Sequence, residues 1–416
     1  MTLATGFDPR WTLELLRDAV AVPSVTGDEA AFAALLHRTL AELTPHRLDL
    51  TEVAPGRPVL TAVLAGDRPG PTLMLVGHLD VVRTDGWEAE WPAADPRVDP
   101  FAARERDGAI WGRGSVDVKG GIAAALGALH NVRTDPTRDQ VGDVVCAFVC
   151  DEESGEPGLG RSLGMAAVAR WIVDGVLPRP QAAIYVEPTG LDVITAQIGF
   201  LIAEVVVTGR TAYFARPEHG IDALRAARGV LEALDRRADE LATREPHPLC
   251  GRPALVVHGM RAGTGTIAVP GHARLELIRT VAPGDDLQAA ADDIEALVAV
   301  ALANGDAHAE VTFPAGRDHP VGGLPFEAEP DAPQLAALRG HAEQLAPGHG
   351  RVRGASFWSE LSFLDALGIP SAYFAPGDIA HAHTPQEHVP VDEVVLAAQV
   401  LAELLTDPTG PQGATP

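Results

Sequence analysis

Two short runs of apolar residues constrain the fold of this chain more than any other feature. Thr72–Val76 is Thr-Leu-Met-Leu-Val and Val144–Val149 is Val-Val-Cys-Ala-Phe-Val, so neither run contains a charged residue. A strand without alternation of apolar and polar residues is buried on both faces, as the central strands of a parallel sheet are. Ala182–Val186 has the same character, and segments with helical periodicity separate the runs. The sequence therefore predicts an α/β fold with a mostly parallel sheet and helices on both faces.

The first run leads to a histidine and an aspartate two positions apart. Only Leu79 separates His78 from Asp80, and residues two apart on an extended chain point to the same side of the backbone. An imidazole that binds a metal ion usually donates its other ring N–H to a carboxylate. The pair is therefore interpreted as a metal ligand with its orienting partner or, alternatively, as a strand end whose two polar side chains satisfy each other.

Acidic residues and a second histidine follow other strands of the predicted sheet. In open α/β sheets, residues of this kind meet at the carboxyl edge of the strands. So many carboxylates at one edge repel one another unless cations lie between them, and two divalent metal ions meet this requirement. Each ion could take one imidazole and one terminal carboxylate, with a further carboxylate shared, and such sets suit zinc, cobalt or manganese. The residues concerned are His78, Asp80, Asp117, Asp151, Glu152, Glu153, Glu187 and His383.

The triplet Asp151-Glu152-Glu153 almost directly follows the second apolar run. Adjacent side chains on an extended segment point to opposite sides, but at an irregular strand end one glutamate can ligate while the other faces the metal-bound water. A carboxylate beside that water can accept its proton and pass it to a leaving nitrogen. The alternative, a solvated acidic turn, loses weight because the triplet ends a buried strand.

Length and a change of pattern predict two domains. A chain of 416 residues is too long for one ordinary core. Residues 1–192 and 314–416 carry the α/β pattern of the predicted catalytic domain, whereas residues 193–313 predict an inserted α+β domain with an antiparallel sheet. Residues 85–114 are predicted to be a long loop. Thr26-Gly27-Asp28-Glu29 has the form of a capping box that opens a helix.

Charge and cysteine content limit the classes of partner and the compartment. The formal net charge is −25, the same sign as nucleic acids and anionic membranes, so a small molecule or a short peptide is the expected partner. Cys146, Cys150 and Cys250 form no C-x-x-C pair, which predicts a reducing cytoplasm and no disulfide framework. We also expect neither a signal peptide nor a membrane span.

Five motifs occur along the chain, each at a predicted strand end or in a loop. They are Gly77–Val82, Gly112–Gly121, Asp151–Gly155, Glu187–Thr189 and His383–Glu387. In this order they resemble the signature of the co-catalytic zinc amidohydrolases and metallopeptidases, a family that includes aminoacylase, acetylornithine deacetylase, succinyl-diaminopimelate desuccinylase and glutamate carboxypeptidase. The resemblance covers nearly the whole chain. It implies that the inserted domain is a lid that commonly carries a homodimer interface and contributes to the partner's active site.

The resemblance also implies a role for each candidate residue. Asp117 would bridge two zinc ions, with a cis peptide bond to Val118, and Glu152 would be the general base. The terminal ligands would be His78, Glu153, Glu187 and His383. Asp80 would orient His78. His381 is a rival of His383, but only His383 precedes the Thr-Pro-Gln-Glu run that matches the family.

Two positions in the inserted domain depart from the family pattern. In Thr208–Gly220, Tyr213 stands where a histidine is expected, and Thr264–Pro270 has no asparagine before Val269. Both positions normally face the substrate. Arg279 lies where relatives carry an arginine, and it is interpreted either as a bidentate clamp for a substrate carboxylate or as a solvated strand residue.

The sequence therefore predicts a dinuclear zinc amidohydrolase that cleaves an amide bond in a small N-acyl amino acid or short peptide. Metal-bound hydroxide would be the nucleophile, with Glu152 as general base. A dipeptidase or carboxypeptidase using the same site is the alternative. A diverged member with altered chemistry or ligand binding is a third possibility, because Tyr213 replaces the expected histidine.

Overall fold

The computed structural model describes residues 7–153 and 160–411. The chain divides into two compact units. The first comprises Met1–Thr195, Ala328–Arg353 and Phe363–Pro416, and the second comprises Ala196–Glu327 and Gly354–Ser362. The second unit thus starts close to the expected residue 193, extends past the expected residue 313, and takes in a short later segment.

Three parts of the chain differ in the elements that they contain. Up to residue 197 helices and strands alternate: α1 (Arg10–Ala21), α2 (Ala30–Glu42), β1 (Arg47–Ala54), β2 (Arg57–Leu64), β3 (Leu73–His78), α3 (Trp87–Glu90), β4 (Arg104–Arg106), β5 (Ala109–Trp111), α4 (Gly120–Thr134), β6 (Val144–Val149), α5 (Leu163–Val173), β7 (Ala182–Tyr185) and β8 (Val193–Gln197). Strands then dominate: β9 (Gly199–Thr208), β10 (Ala212–Tyr213), α6 (Ala223–Ala242), β11 (Leu255–Ala262), β12 (Ala268–Val269), β13 (His272–Val281), α7 (Leu287–Leu302), β14 (His308–Thr312), β15 (Gly322–Gly323) and β16 (Phe326–Glu327). The last part contains α8 (Pro333–Leu345), β17 (Val352–Ala355), α9 (Leu361–Asp365), β18 (Ser371–Tyr373), β19 (His388–Pro390) and α10 (Val391–Thr406). None of the helices in the described ranges combines the length and the apolar character that crossing a membrane requires.

The first unit is built on a sheet whose centre is parallel. The strand order is β1-β2-β6-β3-β7-β18-β8, with parallel pairing from β6 to β18 and antiparallel pairing on either side. Every residue of β2, β3 and β6 is buried. Because successive side chains of a strand point to opposite faces, this burial requires cover on both faces. The predicted α/β class with a mostly parallel sheet is confirmed.

The second unit contains an antiparallel sheet with two helices against one face. Its strand order is β11-β13-β9-β14, and all these pairs are antiparallel. Alternate residues of β9, from Leu201 to Val207, are buried. They share one apolar core with Val230 and Leu234 of α6 and with Ile294 of α7. The α+β architecture predicted for the inserted part of the chain is therefore present.

The region predicted as a long loop between residues 85 and 114 contains regular structure. It holds α3, β4 and β5, and β5 pairs with β4 on one side and with β19 on the other. These strands have three residues each, and β19 lies far along the chain. Periodicity needs a longer window than three residues, so no local pattern predicts this small sheet.

The capping box predicted at Thr26–Glu29 is wrong. α2 begins at Ala30 without a side-chain cap hydrogen bond. Thr26 Oγ1 instead donates to the Asp80 carboxylate at 2.9 Å. The Glu29 carboxylate pairs with Arg57 at 2.9 Å. Tertiary contacts to buried charged groups engage both side chains that a capping box would use, and the Glu29 carboxylate accepts locally from the Gly27 N–H, at 3.1 Å.

Candidate metal centre

The candidate ligands lie at the carboxyl ends of parallel strands in the first unit. His78 is the last residue of β3, and Glu153 and Glu187 follow β6 and β7. His383 lies in the loop between β18 and β19. Because β6, β3, β7 and β18 are neighbours in one sheet, these loops open at the same edge.

Asp117 reaches this edge from a tight turn ahead of α4. It lies in a short kinked segment, Ser115–Lys119, in which Asp117 and Val118 have non-helical backbone angles, and its peptide bond to Val118 is cis, as the family resemblance implies. Gly121, at the start of α4, lies so close to the end of β7 that a Cβ there would meet the Val186 carbonyl oxygen at 2.3 Å. A glycine at this position therefore lets the turn approach the sheet edge.

Two sets of three side chains converge, and they share Asp117. The first set is His78, Asp117 and Glu187, and the second set is Asp117, Glu153 and His383. Within each set the ligand atoms all lie within 4.8 Å of one another. Asp117 Oδ1 is 2.9 Å from His78 Nε2, and Asp117 Oδ2 is 3.2 Å from His383 Nε2. The two oxygens of one carboxylate therefore face different histidines, which is the arrangement that a bridging ligand needs.

The terminal carboxylates complete each set. His78 Nε2 lies 3.7 Å from Glu187 Oε1, and His383 Nε2 lies 3.0 Å from Glu153 Oε2. All the carboxylates of the two sets are buried. The His383 side chain is 55% exposed, so one side of the centre is accessible from solvent.

Negative charge in the cluster raises the pKa of both histidines. Burial lowers the pKa of His78, but the hydrogen bond to Asp117 and the charge of Glu187 outweigh burial and place that pKa well above its ordinary value. Hydrogen bonds to Asp117 and Glu153 raise the pKa of His383 to about 11. Surroundings that stabilise positive charge at two imidazoles also stabilise a divalent cation there.

The carboxylates themselves are crowded, as the sequence predicts. Burial and the negative charge of Asp117 raise the pKa of Glu153 to about 8. Burial acts to raise the pKa of Asp117 as well, but hydrogen bonds from His383 and His78 hold it below its ordinary range. The donor set of imidazole nitrogens and carboxylate oxygens, without thiolates, fits two divalent ions such as zinc, cobalt or manganese.

Glu152 lies beside the cluster but belongs to neither ligand set. The residue is half-buried, and its negative charge contributes to the raised pKa of His78. A carboxylate in this place, close to the candidate ligands but outside them, could accept a proton from a molecule bound at the centre. The motif residues Ser154 and Gly155 lie outside the described residues.

The predicted contact between the His78 ring and the Asp80 carboxylate is wrong, because the ring contacts the Asp80 backbone instead. His78 Nδ1 donates to the backbone carbonyl of Asp80 at 2.8 Å. The Asp80 carboxylate accepts from Thr26 Oγ1 and from the backbone N–H groups of Glu152 and Glu153, at 2.9, 3.2 and 2.9 Å. Asp80 thus fixes the His78 tautomer through its main chain, because a carbonyl can only accept. Its side chain holds the segment that follows β6.

The two rival histidines of the last loop are in different surroundings. His383 contacts Asp117 and Glu153. The ring of His381 packs against the ring of His388 with centroids 4.3 Å apart. The structure therefore brings His383, and not His381, into a candidate ligand set.

The two residues predicted to bind substrate lie in the second unit. Tyr213 is on β10, pairs with Ala268 of β12, and is 63% exposed. Arg279 is buried. Its guanidinium donates to the Asp293 carboxylate at 2.6 Å and to the Ala290 carbonyl at 3.1 Å. Both interpretations of Arg279, as a free carboxylate clamp and as a solvated strand residue, are replaced by an internal ion pair.

Sequence reasoning missed a buried arginine beneath the acidic triplet. Arg57 of β2 pairs with Glu29 and with Asp151. The Asp151 carboxylate also accepts from the backbone N–H groups of Gly160 and Arg161 at 2.8 and 2.9 Å. Asp151 therefore ties Gly160 and Arg161 to the end of β6, and it belongs to neither candidate ligand set. The signal in the sequence is a lone arginine at the head of an otherwise uncharged strand.

Comparisons with known proteins give a family match and relatives along nearly the whole chain. Residues 74–407 match the model of peptidase family M20/M25/M40. The chain is 25% identical over 404 residues to an acetylornithine deacetylase of Proteus mirabilis, covering 94% of this chain and 95% of that protein. It is 28% identical over 406 residues to a succinyl-diaminopimelate desuccinylase of Gluconacetobacter diazotrophicus, and the match covers 94% of this chain and 96% of that protein. A metallo-carboxypeptidase of Sulfolobus solfataricus is similar in fold, with a TM-score of 0.74 at 18% identity over 95% of this chain and 99% of that one.

Proposed function

Because the chain belongs to peptidase family M20/M25/M40 and is a metal-dependent hydrolase, we propose that it cleaves the amide bond of a small N-acyl amino acid or a short peptide. The observation that carries this proposal is the pair of ligand sets that share Asp117. Such a site with mixed nitrogen and oxygen ligands suits two divalent ions, most simply zinc, with cobalt or manganese as alternatives.

The proposed roles follow from position. His78 and Glu187 would hold one ion, and Glu153 and His383 would hold the other. Asp117 would be a ligand to both ions. Bound ions lower the pKa of a water molecule and polarise the amide carbonyl.

The chain's own proton acceptor is Glu152. Its carboxylate would take the proton of the attacking water and deliver it to the leaving nitrogen. The Asp80 carboxylate, which accepts from the N–H groups of Glu152 and Glu153, would keep the base and the adjacent ligand in fixed relation. The half-buried position of Glu152 outside the ligand sets supports this assignment.

The names of the relatives support two substrate classes. A deacetylase and a desuccinylase remove acyl groups from the nitrogen of small molecules, which favours an N-acyl amino acid. A carboxypeptidase cleaves peptides, which favours an exopeptidase on the same site. Relative turnover of N-acetyl and N-succinyl amino acids against dipeptides distinguishes the two.

We further propose a cytoplasmic homodimer that pairs through the second unit. The three free cysteines support a reducing compartment. Among the described strands, β11 pairs only with β13 and carries exposed Val256 and Met260. A strand with one unpaired edge and apolar side chains is suited to join a second copy.

The test combines metal content with turnover. Elemental analysis of zinc-supplemented protein should approach two ions per chain, and chelation should abolish turnover of the substrate panel. Glu152→Ala should keep both ions and lose about 100-fold to 10,000-fold in turnover, because only the proton acceptor is removed. Glu52→Ala, at an exposed position of β1, is the matched control and should behave as wild type. Absence of bound metal, or near-normal turnover in Glu152→Ala, would refute the proposal.

A further inference from the structure

We propose that Glu387 and Arg113 form a positioning pair that fixes the His383 side of the metal centre to the turn that carries Asp117. The inference rests on the proposed metal-dependent function and concerns how the second ion is held. Neither residue belongs to a candidate ligand set. The proposed reaction also uses neither of them.

Glu387 connects the His383 loop to the Asp117 turn through both carboxylate oxygens. Oε2 accepts from the Arg113 guanidinium, and Oε1 accepts from the backbone N–H groups of Val116 and Asp117 at 3.3 Å each. The Glu387 carbonyl also accepts from the Gly112 N–H at 3.2 Å. One residue of the loop therefore bonds to four groups of the segment that presents the shared ligand.

The pair is buried and its arginine has fixed surroundings. Glu387 is 0% and Arg113 is 3% exposed. The Arg113 guanidinium lies 5.2 Å over the ring of Trp87 and donates to the Arg83 carbonyl at 3.4 Å. A charged hydrogen bond shielded from water is strong and directional, so the pair holds the two segments in one relative position.

His383 needs such support more than the other ligands do. Its φ angle is 60°, in the left-handed region that residues other than glycine rarely adopt. Its side chain is largely exposed, so packing around the imidazole does not fix it. Glu387 lies four positions after His383, at the point where the loop enters β19, which pairs with β5. The pair therefore anchors the loop at the nearest point where it meets the Asp117 segment.

The other histidine is held independently. His78 ends the fully buried strand β3, and its Nδ1 donates to the Asp80 carbonyl. Weakening the Glu387–Arg113 pair should therefore disturb the set of Glu153 and His383 while leaving His78 and Glu187 in place. This asymmetry distinguishes positioning from a general contribution to folding.

Glu387→Gln is the most selective change. An amide keeps the size of the carboxylate and can still accept from the Val116 and Asp117 N–H groups, but its NH₂ group faces the Arg113 guanidinium without an acceptor. Chelator-stripped protein is titrated with cobalt, whose visible absorption reports each bound ion. We expect the first equivalent to bind as in wild type and the second about 10-fold to 100-fold more weakly, the range found when a residue that supports a metal ligand is lost.

Reference variants assign the equivalents and guard against misfolding. His383→Ala should lose the same equivalent that Glu387→Gln weakens, and Glu187→Gln should affect the other. Glu393→Gln, whose carboxylate accepts from the Gly377 N–H outside the centre, is the matched control and should bind cobalt as wild type does. If Glu387→Gln unfolds without metal, the double variant Arg113→Met/Glu387→Gln, which buries no unpaired charge, replaces it and should show the same weak second equivalent.

The outcomes separate this inference from the proposed function. Wild-type protein that binds no cobalt would refute the metal-dependent function itself. Wild type that binds two ions, with a folded Glu387→Gln or double variant that also binds both normally, would overturn only the positioning role. Equal weakening of both equivalents would overturn it too, because the pair would then support the whole centre.

Discussion

Asp117 is the residue on which both ligand sets depend. Its Oδ1 faces His78 and its Oδ2 faces His383, so each histidine has a negative charge at hydrogen-bond distance. In protein stripped of metal, these contacts favour the protonated imidazoles, since the pKa of His383 is raised to about 11 and that of His78 also rises. A metal ion binds only the neutral imidazole, so protons and metal compete for the same nitrogens.

Proton release on metal loading follows from this competition. At pH 7.5 His383 of stripped protein is protonated because its pKa is about 11, and the raised pKa of His78 favours the protonated form there too. We expect about one proton released for each imidazole that becomes a ligand, with a further contribution from Glu153, whose pKa is about 8. Calorimetric titration with zinc in two buffers of different ionisation enthalpy measures the number. His383→Ala should release about one proton fewer, and apparent affinity should fall as the pH is lowered. A binding enthalpy independent of the buffer would contradict the expected charge state.

The residues that the structure brings together as candidate ligands could be predicted from the sequence, but not all their contacts could. Short spacing and strand ends indicated His78, Glu153 and Glu187, and the structure brings them to one edge. The carboxylate of Asp80 was predicted to meet His78, whereas its carbonyl does. Every residue has a carbonyl, so the sequence carries no sign of which one accepts. Arg57 was missed because its partners Glu29 and Asp151 come from distant parts of the chain.

At the level of elements, burial decides which strands are predictable. β6 begins and ends at the predicted residues because all six of its side chains are buried and apolar. β1 was not predicted. It is an edge strand with exposed and charged residues, so it lacks the apolar pattern of a central strand. That the candidate ligands meet at one edge of the sheet could be predicted, because it depends on the buried strands.

The two-stranded sheet of β10 and β12 carries the main departure from the family pattern. Tyr213 is exposed there beside Phe214, with ring centroids 4.5 Å apart. If this two-stranded sheet faces the substrate of a partner subunit, as the resemblance implies, tyrosine offers a neutral donor where a histidine is expected. We expect Tyr213→His to increase turnover or Tyr213→Phe to reduce it by about 100-fold or more, the effect of one oxyanion donor.

Phe214→Leu provides the comparison for this position. Phe214, the residue after β10, is 54% exposed and its side chain has no hydrogen-bonding group, so its replacement should leave turnover near wild type. Turnover measured at saturating substrate separates chemistry from binding. Unchanged turnover in both Tyr213 variants would show that this hydroxyl takes no part in the reaction.

At the scale of the whole molecule, the chain is acidic, with a net charge of −25, and its positive charges come almost entirely from arginine. Lys119 is its single lysine. That lysine is 1% exposed. Its ammonium donates to the Val22 carbonyl at 2.7 Å and lies 4.6 Å over the ring of Phe32. The only side-chain amine therefore links the turn that carries Asp117 to the end of α1.

This single buried amine reports on unfolding of the first unit. Burial lowers the pKa of Lys119 to about 7, so at pH 8.5 the amine is largely neutral and chemically competent, and only its burial protects it. We expect acetic anhydride to leave the peptide containing Lys119 unmodified in the native protein and to acetylate it in urea. The modified fraction, measured by mass spectrometry, should follow the loss of circular dichroism, because a core residue opens with the cooperative unit around it. A lysine-containing peptide added to each reaction should be modified at every urea concentration, which controls for reagent quality. Acetylation of Lys119 in native protein at the rate of that peptide would mean that the turn opens to solvent without unfolding.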